Sequence, residues 1–251
     1  MKKRSVISRF LDILFPPKCV GCGEVLERSD DGVFCRRCRA KWEMAKYRIC
    51  SECGNRCFRC QCAEKVMYAA GIRTHLKLVF YESGVNGVVK SVLYRAKKSN
   101  NSLLFRMLGE ECAKLIINFL SEREIDYSDV VITYPQRPDE RKREAGYDQA
   151  YAIVKIISER TQIELVQTMY RRGGKIQKNL DRAARTENAR KSLFPIDGLD
   201  LRGKTVIMFD DVVTTGATSV RAADILYGAG AYDVVIMSVA KSVFPSQKLG
   251  K

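Results

Sequence analysis

The sequence predicts an α/β fold: a mostly parallel sheet covered by helices, preceded by a small cysteine-rich module. Three observations carry this. Apolar runs at 129–133, 205–209 and 233–240 have the length and β-branched content of buried strands. The first two run into polar loops and then helical patterns, the alternation of a parallel-sheet protein. Nine of the ten cysteines lie between Cys19 and Cys62, outside that alternation.

With 251 residues the chain has room for one main domain and a smaller module, divided here as 1–63 and 64–251. Its hydrophobic content of 46% supports a sizeable core, and a net charge of +15 favours an anionic partner such as nucleic acid, nucleotide or phosphosugar. No run of about 18 apolar residues occurs, so no transmembrane segment is expected. The N-terminus only imitates a signal peptide. Arg9 and Asp12 interrupt its apolar part, no small-residue cleavage site follows, and 10–15 read as a short amphipathic helix stopped by Pro16-Pro17. A cytoplasmic, reducing location follows as the expectation, and there clustered CxxC pairs mean metal rather than disulfides.

In the module, Cys19-x2-Cys22 and Cys35-x2-Cys38 are twelve residues apart, the pattern of a four-thiolate zinc site. The second cluster offers five thiols for four places: Cys50, Cys53, Cys57, Cys60 and Cys62. Pairing Cys57 with Cys60 leaves only three residues between the pairs. The favoured set is Cys50, Cys53, Cys60 and Cys62, with six residues to close the loop and Cys57 spare. An iron–sulfur cluster is the other reading of such close cysteines. Sites closed by four thiolates leave no open position, so the Zn2+ would be structural, one or two ions per chain. From Lys2 to Arg59 there are fourteen Lys or Arg against seven Asp or Glu, which suits nucleic acid or a docking knob.

Residues 67–81 read as a strand, 85–94 as a helix, and 99–102 as a polar break that caps the next helix. That helix carries Leu103, Leu104, Met107, Leu108, Cys112, Leu115, Ile116, Phe119 and Leu120 at helical spacing, which makes Cys112 core. His75 has no partner near it in sequence, so no histidine-based triad is expected. The strand at 129–133 delivers the loop Tyr134-Pro135-Gln136-Arg137, and a basic, glycine-containing stretch at 141–149 enters the next helix. Segment 171–191 has eight Lys or Arg against Asp181 and Glu187, with few apolar residues. It reads as a surface loop able to fold over an anion. Gly228 to Ala231 close the helix before the last strand, and the end from 243 is read as frayed.

The central stretch is Val206-Ile207-Met208-Phe209-Asp210-Asp211-Val212-Val213-Thr214-Thr215-Gly216-Ala217-Thr218. A buried strand ends in two acids and a small, hydroxyl-rich turn that starts a helix. Backbone N–H groups and the helix dipole at such a turn hold phosphate, while paired carboxylates accept from vicinal sugar hydroxyls.

This stretch resembles the phosphoribosyl pyrophosphate (PRPP) motif of type I phosphoribosyltransferases. Three further features resemble the ComF family of competence-associated proteins: Leu14-Phe15-Pro16-Pro17-Lys18-Cys19 with Cys22, then Gly146-Tyr147-Asp148-Gln149-Ala150, then Gln177 with Leu180, Arg182, Arg185 and Asn188. The resemblance covers nearly the whole chain. It implies a type I phosphoribosyltransferase-like core behind a zinc module. Asp210 and Asp211 would bind the ribose hydroxyls and take the catalytic role. Thr214, Thr215, Gly216, Ala217 and Thr218 would cradle the 5′-phosphate. Tyr134, Gln136 and Arg137 would belong to the pyrophosphate loop, and Gln177, Arg182 and Arg185 to a flexible flap. Mg2+ would accompany a pyrophosphate-bearing ligand. The family's middle motif often reads Arg-Gly-Phe-Asn-Gln; here Ala145, Tyr147 and Asp148 stand at three of those places. No glutaminase module precedes the fold, so ammonia delivery from glutamine is not expected.

Two functions compete. In the first, the protein serves DNA uptake in natural transformation, with other DNA-uptake proteins as partners. It binds single-stranded DNA through its basic surface, stacking bases on Tyr134, Tyr147 or Tyr170, and holds a phosphoribosyl ligand in its pocket. In the second, it is an active PRPP-dependent phosphoribosyltransferase acting on a nitrogenous acceptor, by stabilising an oxocarbenium-like centre and its leaving group.

Overall fold

The strands that carry the candidate site are apolar along almost their whole length, and this places them at the centre of the sheet. In the computed structural model, which describes residues 16–27, 29–82, 87–136, 147–172 and 191–243, the sheet contains β1 (Thr74–Glu82), β2 (Val130–Thr133), β3 (Glu164–Leu165), β6 (Thr205–Val213) and β7 (Asp233–Val243). Their order is β1-β7-β6-β2-β3 and every pairing is parallel. The mostly parallel sheet of the sequence reading is therefore present. A separate antiparallel pair joins β4 (Met169–Arg171) to β5 (Leu193–Pro195).

Side chains along β6 alternate between two cores, as the two-residue period of a strand requires. Ile207 and Phe209 face one core and Val206 and Met208 the other. On the first face lie α3 (Val88–Lys98), α4 (Ser102–Glu122) and α5 (Gln149–Thr161). Asn101 caps α4 by accepting from the Leu104 N–H at 2.9 Å. At Gly109 a Cβ would come within 2.7 Å of Ile156 Cγ2, so α4 and α5 approach closely only because that side chain is absent. On the second face lie α2 (Lys65–Ala69) and α6 (Ala217–Gly228), through Met67, Ala222 and Leu226. Cys112 is fully buried in the first core, as its place on the apolar stripe required.

Two local readings change. The strand expected over 67–81 begins only at Thr74, because α2 and a turn at Gly71 (φ 85°) occupy its first part. In the cysteine module, α1 (Arg36–Lys46) had no readable stripe, since it buries only Cys38 and Trp42. Those two side chains dock the module. Trp42 is fully buried and donates through Nε1 to Glu111 Oε2 of α4 at 3.0 Å, while Lys46 Nζ meets Glu111 Oε1 at 3.1 Å. Val20, Phe34, Cys38 and Trp42 share one core with Leu104, Phe105 and Leu108, so the module is built into the main body rather than hung from it. Among the described residues no helix is long and apolar enough to cross a membrane.

Candidate functional site

The central position of β6 carries Asp210 and Asp211 to the end of the sheet, where its burial falls from complete to partial. The chain then turns through Thr214 and Thr215 to Gly216, the N-cap of α6, at φ 77°. Glycine is needed there: left-handed backbone disfavours a side chain, and a Cβ would sit 3.1 Å from Val66 Cγ2 and 3.2 Å from Met67 Cε. The first N–H groups of α6 have no intrahelical acceptor and open towards a cavity of about 140 Å³. Asp210, Arg171, Thr214, Thr215 and Thr218 line it. Ser219 lines it too; its Oγ is buried and has no hydrogen-bond partner among the described residues.

The two acids differ in environment. Gln149 of α5, itself buried, donates through Nε2 to Asp211 Oδ2, and Lys97 Nζ of α3 lies 3.6 Å from the same oxygen. Burial pushes the Asp210 carboxyl up, the neighbouring Asp211 charge adds to it, and Arg171 and Lys97 oppose; the outcome is about 7. Arg171 Nη2 lies 3.4 Å from Thr218 Oγ1, and Nη1 lies 3.4 Å from Ser192 Oγ. The site thus puts Asp210 beside a helix N-terminus and a guanidinium, with Asp211 next to it held by Gln149. Such a set can hold vicinal hydroxyls and an attached phosphate.

The structure brings Asp210, Thr214, Thr215, Gly216, Ala217 and Thr218 together around this cavity, while Asp211, next to Asp210 on β6, meets Gln149 and Lys97 instead of lining it. Tyr134 stands apart from the expected open loop. It is only 4% exposed and packs near Tyr151, with ring centroids 6.2 Å apart, and burial raises its phenol. Gln136 accepts from Gln167 Nε2 at 2.8 Å and bridges Tyr170. Tyr170 stacks on Phe194 with the Arg172 guanidinium over it. Tyr134 is too buried to offer a face for stacking, whereas Tyr170 is half-buried. Arg137, Gln177, Arg182 and Arg185 lie outside the described residues. In the middle motif, Asp148 caps α5 by accepting from the N–H groups of Ala150 and Tyr151, a task Asn performs equally well. His75 finds its partner on β7 rather than nearby in sequence. Its Nε2 lies 2.7 Å from Ser238 Oγ, and burial holds the ring well below 6.5.

The cysteines form two groups, Cys19, Cys22, Cys35 and Cys38, and Cys50, Cys53, Cys60 and Cys62. Within each, the ligand atoms all lie within 4.8 Å of one another. Cys57 is outside both: its thiol turns to the Lys77 carbonyl at 3.9 Å, and burial pushes it up. At Cys19 burial also raises the thiol, but backbone donors from Cys35, Cys22 and Gly21 outweigh it and bring it to about 7. A thiol so favoured as thiolate suits a metal ligand.

Sequence reasoning passed over Lys97, Arg171, Gln149 and Ser219 as site residues. Arg171 stood only as one charge in a basic segment, and Lys97 as one in a helix end. Ser219 had a signal, since it lies in the first turn of the helix that begins at Gly216.

Residues 10–70 match the model of a double zinc ribbon domain. With the two cysteine clusters this supports structural zinc. Over 243 residues the chain is 26% identical to the competence protein ComFC of Streptococcus pneumoniae, covering 89% of this chain and all of that protein. These findings fit a ComF-like protein. Among solved structures, the allosteric regulatory enzyme of purine biosynthesis is similar over 44% of this chain and 21% of its own length, at 27% identity and a TM-score of 0.30. A hypoxanthine phosphoribosyltransferase from Staphylococcus aureus is similar over 57% of the chain and 67% of its own, at 12% identity and a TM-score of 0.36.

Proposed function

We propose that this protein is a cytoplasmic competence protein of the phosphoribosyltransferase-like type, in which residues 1–63 form the zinc module and 64–251 the ligand-binding body. It binds a phosphoribosyl ligand at the end of β6 and single-stranded DNA on its basic surface. The observation that carries the reading is the conjunction at one cavity of Asp210, the Gly216 turn at the N-terminus of α6, and Arg171, with Asp211 next to Asp210 on β6. Asp210 and Asp211 take the ribose hydroxyls. The turn 214–218, with Ser219 and Arg171, takes the 5′-phosphate. Mg2+ with a pyrophosphate-bearing ligand would be held through phosphate oxygens and one or both acids. Each cysteine group holds one structural Zn2+.

For DNA, the zinc module offers an exposed aromatic pair beside guanidinium groups. Tyr47 is 50% exposed and meets Phe58 edge-on at 5.3 Å, with Arg56 5.0 Å from the Tyr47 ring and Arg59 5.8 Å from that of Phe58. Exposed aromatic rings beside guanidinium groups suit a sequence-tolerant single strand. The transferase reading uses the same cavity, and the intact acid pair keeps it in play. Calorimetric titration with PRPP, with and without Mg2+, and anisotropy with short single-stranded DNA at low and moderate salt test the proposal. Saturable PRPP binding and a steep loss of DNA affinity with salt are the expected results. DNA affinity that ignores salt, or no PRPP binding, removes the corresponding half. Pyrophosphate release with a nitrogenous acceptor would favour the transferase.

A further inference from the structure

Two lysines of the sheet are buried against the second cysteine cluster. Lys241 of β7 is 3% exposed and has carboxylates to meet, Glu64 Oε1 at 3.1 Å and Glu52 Oε1 at 4.0 Å. Lys77 of β1 is fully buried, and among the described residues no carboxylate lies within 4.0 Å of it. Its Nζ donates to two backbone carbonyls, of Cys62 at 2.8 Å and of His75 at 3.0 Å. Carbonyl oxygens satisfy hydrogen bonds but leave the charge uncompensated, and an unpaired buried ammonium is costly. The residue whose carbonyl it holds, Cys62, belongs to the group Cys50, Cys53, Cys60 and Cys62. One Zn2+ with four thiolates carries two net negative charges, and these are buried on the side of Cys50 and Cys60, at 3% and 2% exposed, while Cys62 is half-buried and Cys53 faces solvent. Two opposite costs therefore stand side by side and cancel only when the ion is present.

We propose that Lys77 is the buried countercharge of the second tetrathiolate zinc site, a positioning residue that ties zinc at Cys50, Cys53, Cys60 and Cys62 to the sheet. This rests on the reading of that cluster as a zinc site. Among the described residues the first cluster has no equivalent buried lysine: its neighbouring cation, Arg37, is exposed and paired with Glu24 at 3.1 Å. The tie reaches the ligand-binding end of the sheet, because Lys77 pairs in register with Ser238, and Ser238 with Asp210.

The experiment measures zinc on the full chain by chelator competition, in wild type, Lys77→Gln and Lys77→Arg. Glutamine keeps donors for both carbonyls and removes the charge. Wild type should hold two ions; one ion only would overturn the underlying zinc reading rather than the role of Lys77. Lys77→Gln should weaken one of the two ions about 10- to 100-fold and leave the other unchanged, the scale of a lost outer-shell partner at a metal site. Lys77→Arg should recover part of that loss. Equal affinities in wild type and Lys77→Gln would overturn the proposal. If the glutamine variant does not fold, hydrogen exchange of wild type before and after removal of the weaker ion decides. Amides of 74–79 should lose protection together with 50–62, and unchanged protection along 74–79 would overturn it.

Discussion

Asp210→Asn should make the ligand-free protein more stable at alkaline pH while it damages the site. The folded carboxyl titrates near 7 against an ordinary 3.8, through burial and the Asp211 charge. A carboxyl raised on folding contributes stability in full below pH 3.8, and that stability is lost as pH rises through about 7. Taken whole, the interval corresponds to a ceiling of about 4 kcal/mol on the ionised form. Asp210 is half-buried at the end of the sheet, so about 1–2 kcal/mol is the expected effect after solvent screening. The assay is urea unfolding of wild type and variant without ligand, at mildly acidic and mildly alkaline pH. The stability of the variant relative to wild type should increase by that amount on going to the higher pH. The same difference at both pH values, or a change in the opposite direction, would refute the electrostatic reading of the acid pair.

Other consequences follow from particular contacts. Gly109→Ala adds a methyl 2.7 Å from Ile156 Cγ2 and 3.0 Å from the Ile153 carbonyl, and should destabilise by about 1–3 kcal/mol despite alanine's better helix propensity. Thermal or denaturant unfolding reads this, and a stabilised variant would mean that α4 and α5 are less tightly opposed. Cys57→Ala should leave two zinc ions per chain by metal analysis, because its thiol faces the Lys77 carbonyl. A drop to one ion would place Cys57 in the ligand set. Chelation of zinc should expose Trp42 to quencher, since the helix that carries it starts at the Cys35–Cys38 pair and is docked on α4. Unchanged quenching after complete zinc removal would show that the module holds its place without metal.

Much of the site could be read in the sequence because its parts are contiguous. The apolar run into Asp210 and Asp211 and the glycine that opens a helix lie within fourteen residues from Thr205 to Thr218. The cysteines were readable through spacing, and even the spare Cys57 emerged from loop closure. What escaped comes from tertiary assembly. Gln149 and Lys97 reach Asp211 from α5 and α3, Arg171 reaches Thr218 from β4, and no local pattern announces that these elements converge. Tyr134 follows a strand and so looked like a loop residue, but packing against Tyr151 takes it inside. The helix α1 escaped because a zinc-ribbon helix needs only Cys38 and Trp42 to hold it, too few for a periodic stripe.

The central claim is that the end of β6 recognises a phosphorylated ribose. Calorimetric titration of ribose 5-phosphate into the zinc-loaded protein, beside the Asp210→Asn/Asp211→Asn variant, tests it with neither pyrophosphate nor DNA present. The account predicts saturable one-site binding to wild type and at least about a tenfold weaker affinity in the variant, from lost charge-assisted hydrogen bonds. Equal binding by both proteins, or none by wild type, would contradict it.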